Sequence, residues 1–271
     1  MQPDREIVTQ QAQAGPLPKH DVMGPLARAL EAASLAAALA LLVVNAARFA
    51  AEPRLRTWWL PLALAAGVVV ADFASGIVHW TADTWGRESL PFFGVRFLRP
   101  FRIHHLNPDD LCERDFVDCN GDVALLVCPV LFGSWLMPLE SDLLAATSVL
   151  TAAFGAATLP TNQVHQWAHL AAPPRAVAWL QARGWILSRD AHQRHHAAPF
   201  TQSYCITTGW CNRALDGLGF FRVAERIVSR ATGRVPREDE RDYVERRGAA
   251  ERRRARHASG ARRGPQASKV E

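Results

Sequence analysis

Three histidines within five residues, His192-Gln193-Arg194-His195-His196, are the densest concentration of reactive side chains in the chain. On a helix, positions i, i+3 and i+4 share one face, so the three imidazoles converge while Gln193 and Arg194 point elsewhere. Imidazole is the commonest protein ligand for first-row transition metals, and protonated rings packed this closely would repel one another. The stretch therefore reads as a metal-binding face. His165 and His169 lie one helical turn apart, with Asn162 on the same face three residues earlier. His79 and Asp83 repeat the four-residue spacing, and Asp72 and Gly76 continue that stripe backwards. His104 and His105 complete a set of eight. Asp72 and Asp83 are expected behind the imidazoles, orienting them through the second ring nitrogen, with Asp83 alternatively a ligand itself. His20 and His257 lie in polar tails and are expected to be solvated.

Long apolar segments must position these residues. Leu26 to Ala51 and Trp58 to Trp80 each hold an apolar stretch near the ~20 residues that cross a hydrocarbon core at about 1.5 Å per residue. Val123 to Leu139 is a shorter candidate. Leu143 to Leu159 is a fourth, weakened by its threonines and by Pro160. A buried hairpin in a soluble protein would account for the last two but not for the first pair. The pattern predicts an all-α fold: a four-helix transmembrane bundle, with spans near 26–50, 58–80, 123–139 and 143–165, and a cytoplasmic histidine-rich cap. An even number of spans brings all eight histidines to one membrane face. Residues 1–24, polar and containing Gly15, Pro16 and Pro18, read as a disordered lead, because the first apolar segment lies too far in and is too long for a signal peptide. Residues 25–236 form one membrane domain, and 237–271 a basic tail.

The formal net charge is +5, and from Leu170 onwards 20 Arg and Lys stand against 10 Asp and Glu. By the positive-inside rule that end is cytoplasmic, and with four spans so is the N-terminus. Arg48, Arg54 and Arg56 oppose the assignment. The expected membrane is the inner one for a bacterial source and the endoplasmic reticulum for a eukaryotic one. Anionic headgroups account for the run Arg252-Arg253-Arg254-Ala255-Arg256, so no nucleic-acid partner is expected. Five cysteines without a Cys-x-x-Cys pair argue against a disulfide framework and a zinc ribbon, leaving small buried thiols in a reduced compartment.

The absent motifs narrow the chemistry. There is no His-Glu-x-x-His hydrolytic zinc signature and no Glu-x-x-His pair of the soluble carboxylate-bridged di-iron proteins. Eight histidines divide naturally over two iron ions with positions left open for dioxygen, and at a membrane face that points to oxygen chemistry on lipid chains. Gly217-Leu218-Gly219 lacks the third glycine and the preceding strand of a dinucleotide site, so electrons must come from outside. Arg99, Arg102, Arg189 and Arg194 are candidates to receive an acidic donor or a lipid phosphate, or else pair with Asp109, Asp110 or Asp115. Trp80, Trp85 and Trp167, beside histidines, are expected to wall the site, and Trp58 and Trp59 to lie at the far interface. Pro173 to Leu187 suits a short helix lying on the bilayer.

The ordered series Asp72-Phe73-x-Ser75-Gly76-x-x-His79-Trp80-x-x-Asp83-Thr84-Trp85-Gly86, Arg99-Pro100-Phe101-Arg102-x-His104-His105, Asp115-Phe116-x-x-x-Asn120-Gly121-Asp122, Thr161-Asn162-Gln163-x-His165-x-Trp167-x-His169, His192-x-x-His195-His196 and Cys205-Ile206-Thr207-Thr208-Gly209-Trp210 resembles the plasmanylethanolamine desaturase family of Kua or CarF-type lipid desaturases. The resemblance covers roughly Trp58 to Pro236. It implies a membrane di-iron desaturase that removes two hydrogens from the 1-O-alkyl chain of an ether phospholipid, using dioxygen and electrons from a cytochrome b5-like or ferredoxin-like donor. It also implies that His79, His104, His105, His165, His169, His192, His195 and His196 are the ligands and catalytic residues, with Asn120 and Asn162 supporting them alongside Asp72 and Asp83. The wider family includes a plastid enzyme acting on an acyl chain, so an acyl-chain desaturase or a hydroxylase on the same scaffold stands as the alternative. A histidine-lined metal carrier would instead place its ligands near the bilayer midplane.

Overall fold

The computed structural model describes residue 19 and residues 23–86, 90–91, 94–197 and 200–237. Its helices are α1 (Pro25–Ala51), α2 (Leu60–Trp85), α3 (Arg99–Leu106), α4 (Asp110–Glu113), α5 (Phe116–Leu136), α6 (Asp142–Thr158), α7 (Thr161–His169), α8 (Arg175–Ala182), α9 (Arg189–Gln193), α10 (Asn212–Gly217) and α11 (Phe220–Thr232). No strand occurs among the described residues, as the apolar pattern predicts.

Four helices are long and apolar enough to cross a membrane: α1, α2, α5 and the continuous run Asp142–His169 that joins α6 to α7. In a hydrocarbon layer the helix is the arrangement in which one segment satisfies its own backbone. The boundaries depart from the apolar runs. The second span continues past Trp80 to Trp85, which carries His79 and Asp83 on one helix. The third begins at Phe116 rather than near 123, because the Asp115 carboxylate caps it, accepting the N–H groups of Val117 at 2.9 Å and Asp118 at 3.1 Å. Asn120 and Asp122 therefore lie on the helix and not in a loop before it. Pro160 marks the joint between α6 and α7, where a missing N–H is tolerated at a first turn, so the fourth span runs on to His169.

Helix α1 packs on α5, α2 on α6, and α5 on α6. Small residues permit the approach: a Cβ at Gly67 of α2 would stand 2.6 Å from both Ala153 Cβ and the Leu150 carbonyl oxygen of α6. One apolar core joins Leu35, Ala38, Ala124, Val127, Leu131 and Leu159, and a second joins Leu55, Ala63, Ala145 and Val149. Large apolar residues such as Val43, Leu62, Val78, Leu126 and Leu143 face outward, as lipid contact requires.

Polar ties fasten both ends of the bundle. At the end away from the histidines, Ser134 Oγ donates to Asn45 Oδ1 at 3.0 Å, and Asn45 Nδ2 donates to the Leu131 carbonyl at 3.0 Å. Arg48 donates to the Ser134 carbonyl at 2.8 Å and to that of Met137, and Arg54 donates to the Glu140 carbonyl. Arg48 thus occupies the negative C-terminal end of α5, a local reason for its positive charge there, and Arg54 ties the connection that follows α5. At the histidine end, Arg96 joins Glu31 of α1 at 3.1 Å and Asp122 of α5 through Nε at 2.8 Å, anchoring the turn Gly94–Leu98 that leads into α3. Free cysteines are found throughout, with Cys119 and Cys205 buried.

The packing sets a contrast between two glycines. Gly67→Val should lower the thermal midpoint in detergent by the equivalent of about 1–3 kcal/mol. Gly133→Ala, where an added Cβ meets nothing within 4 Å, should leave it unchanged.

Candidate metal centre

Five elements, one of them a spanning helix, deliver the eight imidazoles to one end of the bundle. His79 comes from α2, His104 and His105 from α3, His165 and His169 from α7, His192 from α9, and His195 and His196 from the turn that follows. Helix α9 is begun by Ser188, whose Oγ accepts the Ala191 N–H at 3.2 Å. It ends at Gln193, so the triplet straddles a helix end and its three rings do not serve one point, contrary to the reading of a single helical face.

Two groups form. In the first, His192 Nε2 lies 2.8 Å from His165 Nε2, 2.8 Å from His169 Nε2 and 3.0 Å from His196 Nε2, and His196 Nε2 lies 3.0 Å from His104 Nε2. In the second, Asp83 Oδ2 lies 3.2 Å from His79 Nε2, 3.2 Å from His105 Nε2 and 3.3 Å from His195 Nε2. Within each group one ligand atom per residue lies within 4.8 Å of every other. Adjacent residues His104 and His105 go to different groups, as do His195 and His196. Asp83, left open between ligand and support, stands inside the second group as a donor in its own right.

The geometry asks for cations. A neutral imidazole has one proton for two nitrogens, so a single Nε2 facing three others at hydrogen-bond distance cannot pair with all of them. His79 Nε2 and both oxygens of Asp83 are buried without a hydrogen-bond partner. Nitrogens on adjacent corners of an octahedron are roughly 3 Å apart at a metal–nitrogen distance of about 2.1 Å. Burial, and then the neighbouring imidazoles, hold His104, His192 and His196 well below the ordinary histidine pKa, which keeps them in the neutral form that binds metal. The donor set of each group fits a bound metal ion.

Main-chain carbonyls orient part of the set. His79 donates from Nδ1 to the Tyr204 carbonyl at 3.0 Å and His195 from Nδ1 to the Gln202 carbonyl at 3.0 Å, which turns each Nε2 lone pair inward. Among the described residues, the non-histidine rings that touch the histidines are Phe101, 5.4 Å from His79, Phe200, 5.3 Å from His105, and Tyr204, 4.9 Å from His195. The tryptophans stand further out. Trp80 packs on Trp85 and Phe221, and Trp167 joins a separate cluster with Val164, Leu187 and Ile206.

Three of the four supporting polar residues act elsewhere than on an imidazole. Asp72 binds the N–H groups of Thr208, Gly209 and Cys211. Asn120 donates to the Phe116 carbonyl at 2.8 Å and to Gln163 Oε1 at 3.2 Å, and Asn162 donates to the Cys119 carbonyl at 3.0 Å, so both brace α5 against α7. The four-residue spacing that paired His79 with Asp83 carried no information on which distant segment of the chain would meet Asp72. Among the arginines, Arg189 donates to the His169 carbonyl at 2.9 Å and Arg194 is exposed. The Arg102 side chain, His20, His257 and the arginine-rich tail lie outside the described residues. A cavity of about 50 Å³ between Phe101, Leu111, Arg114 and Asn162 reaches His104 and His165, room for one or two molecules the size of water.

Residues 68–239 match the family model described as the lipid desaturase domain, over half of the chain. The chain belongs to the lipid desaturase family. This lipid desaturase is 38% identical over 216 residues to the plasmanylethanolamine desaturase of Myxococcus xanthus, covering 80% of this chain and 77% of that relative. It is 39% identical over 198 residues to plasmanylethanolamine desaturase 1 of Mus musculus, covering 68% and 70%. With the chloroplastic fatty acid desaturase 4 of Arabidopsis thaliana it shares 33% over 189 residues, covering 66% and 56%. No solved structure matches. The kinship expected from the motifs holds, and the chain is a membrane oxidoreductase that desaturates lipid.

The braces between α5 and α7 predict a stability effect. Asn162→Ala should lower the thermal midpoint of this lipid desaturase by the equivalent of about 0.5–1.5 kcal/mol, read by unfolding in detergent, because the bond that ties α7 to the Cys119 carbonyl of α5 is lost.

Proposed function

We propose that this lipid desaturase is a di-iron enzyme that converts the 1-O-alkyl chain of plasmanylethanolamine to the vinyl ether of a plasmalogen. The overall reaction consumes one dioxygen, two electrons and two protons, removes two hydrogens from adjacent carbons and releases two waters. The observation that carries the reading is the pair of neighbouring buried donor groups, five imidazoles in one and three imidazoles with Asp83 in the other. Five imidazoles exceed the four-coordinate preference of zinc and suit iron. Bound there, iron supplies the oxidising chemistry with dioxygen that breaking an unactivated C–H bond requires.

The chain's own residues hold and shield. His104, His165, His169, His192 and His196 would hold one ion, and His79, Asp83, His105 and His195 the other, with the charge of Asp83 offsetting part of the second cation's. Phe101, Phe200 and Tyr204 lie against the rings of His79, His105 and His195 and keep water from that group, which protects reactive intermediates. Electrons come from a cytochrome b5-like or ferredoxin-like partner that docks on the histidine face, where Arg194 is exposed. Both termini are cytoplasmic in this reading, and the contrary charges at Arg48 and Arg54 are accounted for by their carbonyl partners at the end of α5 and in the connection that follows it. The alkyl-ether substrate rests on the two relatives whose names state it. The relative named fatty acid desaturase 4 supports acyl-chain desaturation as the second reading.

Mass spectrometry of lipids from cells expressing the chain and fed an alkyl-ether precursor tests this directly. A product two hydrogens lighter that releases an aldehyde in acid, absent with His192→Ala, is the expected result. New acyl double bonds without aldehyde release would select the second reading. His195→Ala should abolish turnover without preventing membrane insertion, Asp83→Asn should weaken iron binding at its position by about 10–100-fold, and His257→Ala should be silent.

A further inference from the structure

Asp72 lies on α2 seven residues before His79, fully buried and touching none of the imidazoles through its hydrogen bonds. Its Oδ1 accepts the N–H groups of Thr208 and Gly209, each at 2.8 Å, and its Oδ2 that of Cys211 at 2.9 Å. One dehydrated carboxylate thus satisfies three main-chain donors of a segment that has no repeating structure of its own. The same segment is fastened at other points. Ser75 Oγ accepts the Ile206 N–H at 3.0 Å, Asn212 pairs with both backbone groups of Cys205 at 2.8 and 2.9 Å, and Asp216 accepts Ser203 N–H and Oγ–H at 3.0 Å each. Gly76 lets α2 approach, since a Cβ there would stand 2.5 Å from Cys205 Sγ.

The segment needs such fastening. Phe200 and Ser203 both adopt a left-handed conformation with φ of 58°, which residues other than glycine rarely take. Between and beyond them stand the two carbonyls, Gln202 and Tyr204, that receive the Nδ1–H of His195 and His79. Both rings belong to the group that contains Asp83. In the five-histidine group, His104 Nδ1 and His192 Nδ1 have no hydrogen-bond partner. The imidazole-orienting bonds of this segment therefore reach one metal position and not the other.

We propose that Asp72 is a positioning residue that acts through residues 202–211 to fix the ring orientation and the Nδ1–H tautomer of His79 and His195. It thereby sets the metal affinity of the His79–Asp83–His105–His195 position separately from that of the five-histidine position. The proposal rests on the reading of both groups as iron sites.

The test uses the full-length protein in detergent, loaded anaerobically with isotopically enriched ferrous iron and followed by iron content and Mössbauer spectroscopy. The unaltered chain should take up two irons in two distinguishable environments, and Asp83→Asn identifies which signal belongs to its group. Asp72→Asn, which replaces one accepting oxygen by an NH₂ group, should weaken that same signal's iron by about tenfold and leave the other unmoved. Ser75→Ala removes a single acceptor from the same segment and should shift the same signal in the same direction. It decides the matter if Asp72→Asn does not fold. Retention of both signals at unchanged affinity, or parallel loss of both, overturns the proposal. An unaltered chain that fails to bind two irons overturns the di-iron reading beneath it.

Discussion

The structure depends on lone pairs forced to face one another. Eight imidazoles and one carboxylate are gathered at one end of four apolar helices, most of them with little or no access to water. Neutral rings cannot share protons in that arrangement, and protonated rings would repel, so the folded chain holds two sets of donors that fit metal ions. Burial itself enforces the required form by holding the rings outside the spans well below their usual pKa.

The remaining elements can be understood by what they contribute to that convergence. The bilayer demands helices, and helices space their side chains at one turn, which supplies His165 with His169 and His79 with Asp83 on adjacent turns. The rest comes from short elements whose position is set by polar ties rather than by apolar burial. Arg96 holds the turn before α3 to Glu31 and Asp122, Asn162 and Asn120 brace α7 against α5, and Asp72 pins the segment after α9 to α2. Such ties are worth more than their number implies because each satisfies a buried group that has no water to turn to.

Two donor groups of unlike composition arise from nearly uniform residues. The five-histidine group has no carboxylate, and two of its rings lack a partner at Nδ1. The group with Asp83 carries a negative charge and two rings oriented by main-chain carbonyls. A carboxylate donor and fixed imidazoles both raise affinity for a hard cation. The two positions are therefore chemically inequivalent even though histidine dominates both.

By itself the sequence determined the class of element and the kind of chemistry. Apolar runs near twenty residues can only be helices in a bilayer, an even number of them brings the eight motif histidines to one face, and the motif order named the family. It did not determine which residue serves which group, because that depends on contacts between segments far apart in the chain. His195 and His196 are neighbours in sequence and diverge in space because α9 ends at Gln193. Asp72 shares a helical stripe with His79 yet spends its hydrogen bonds on a segment more than one hundred residues later. Helical spacing fixes the direction in which a side chain points; only tertiary packing decides what stands there to meet it.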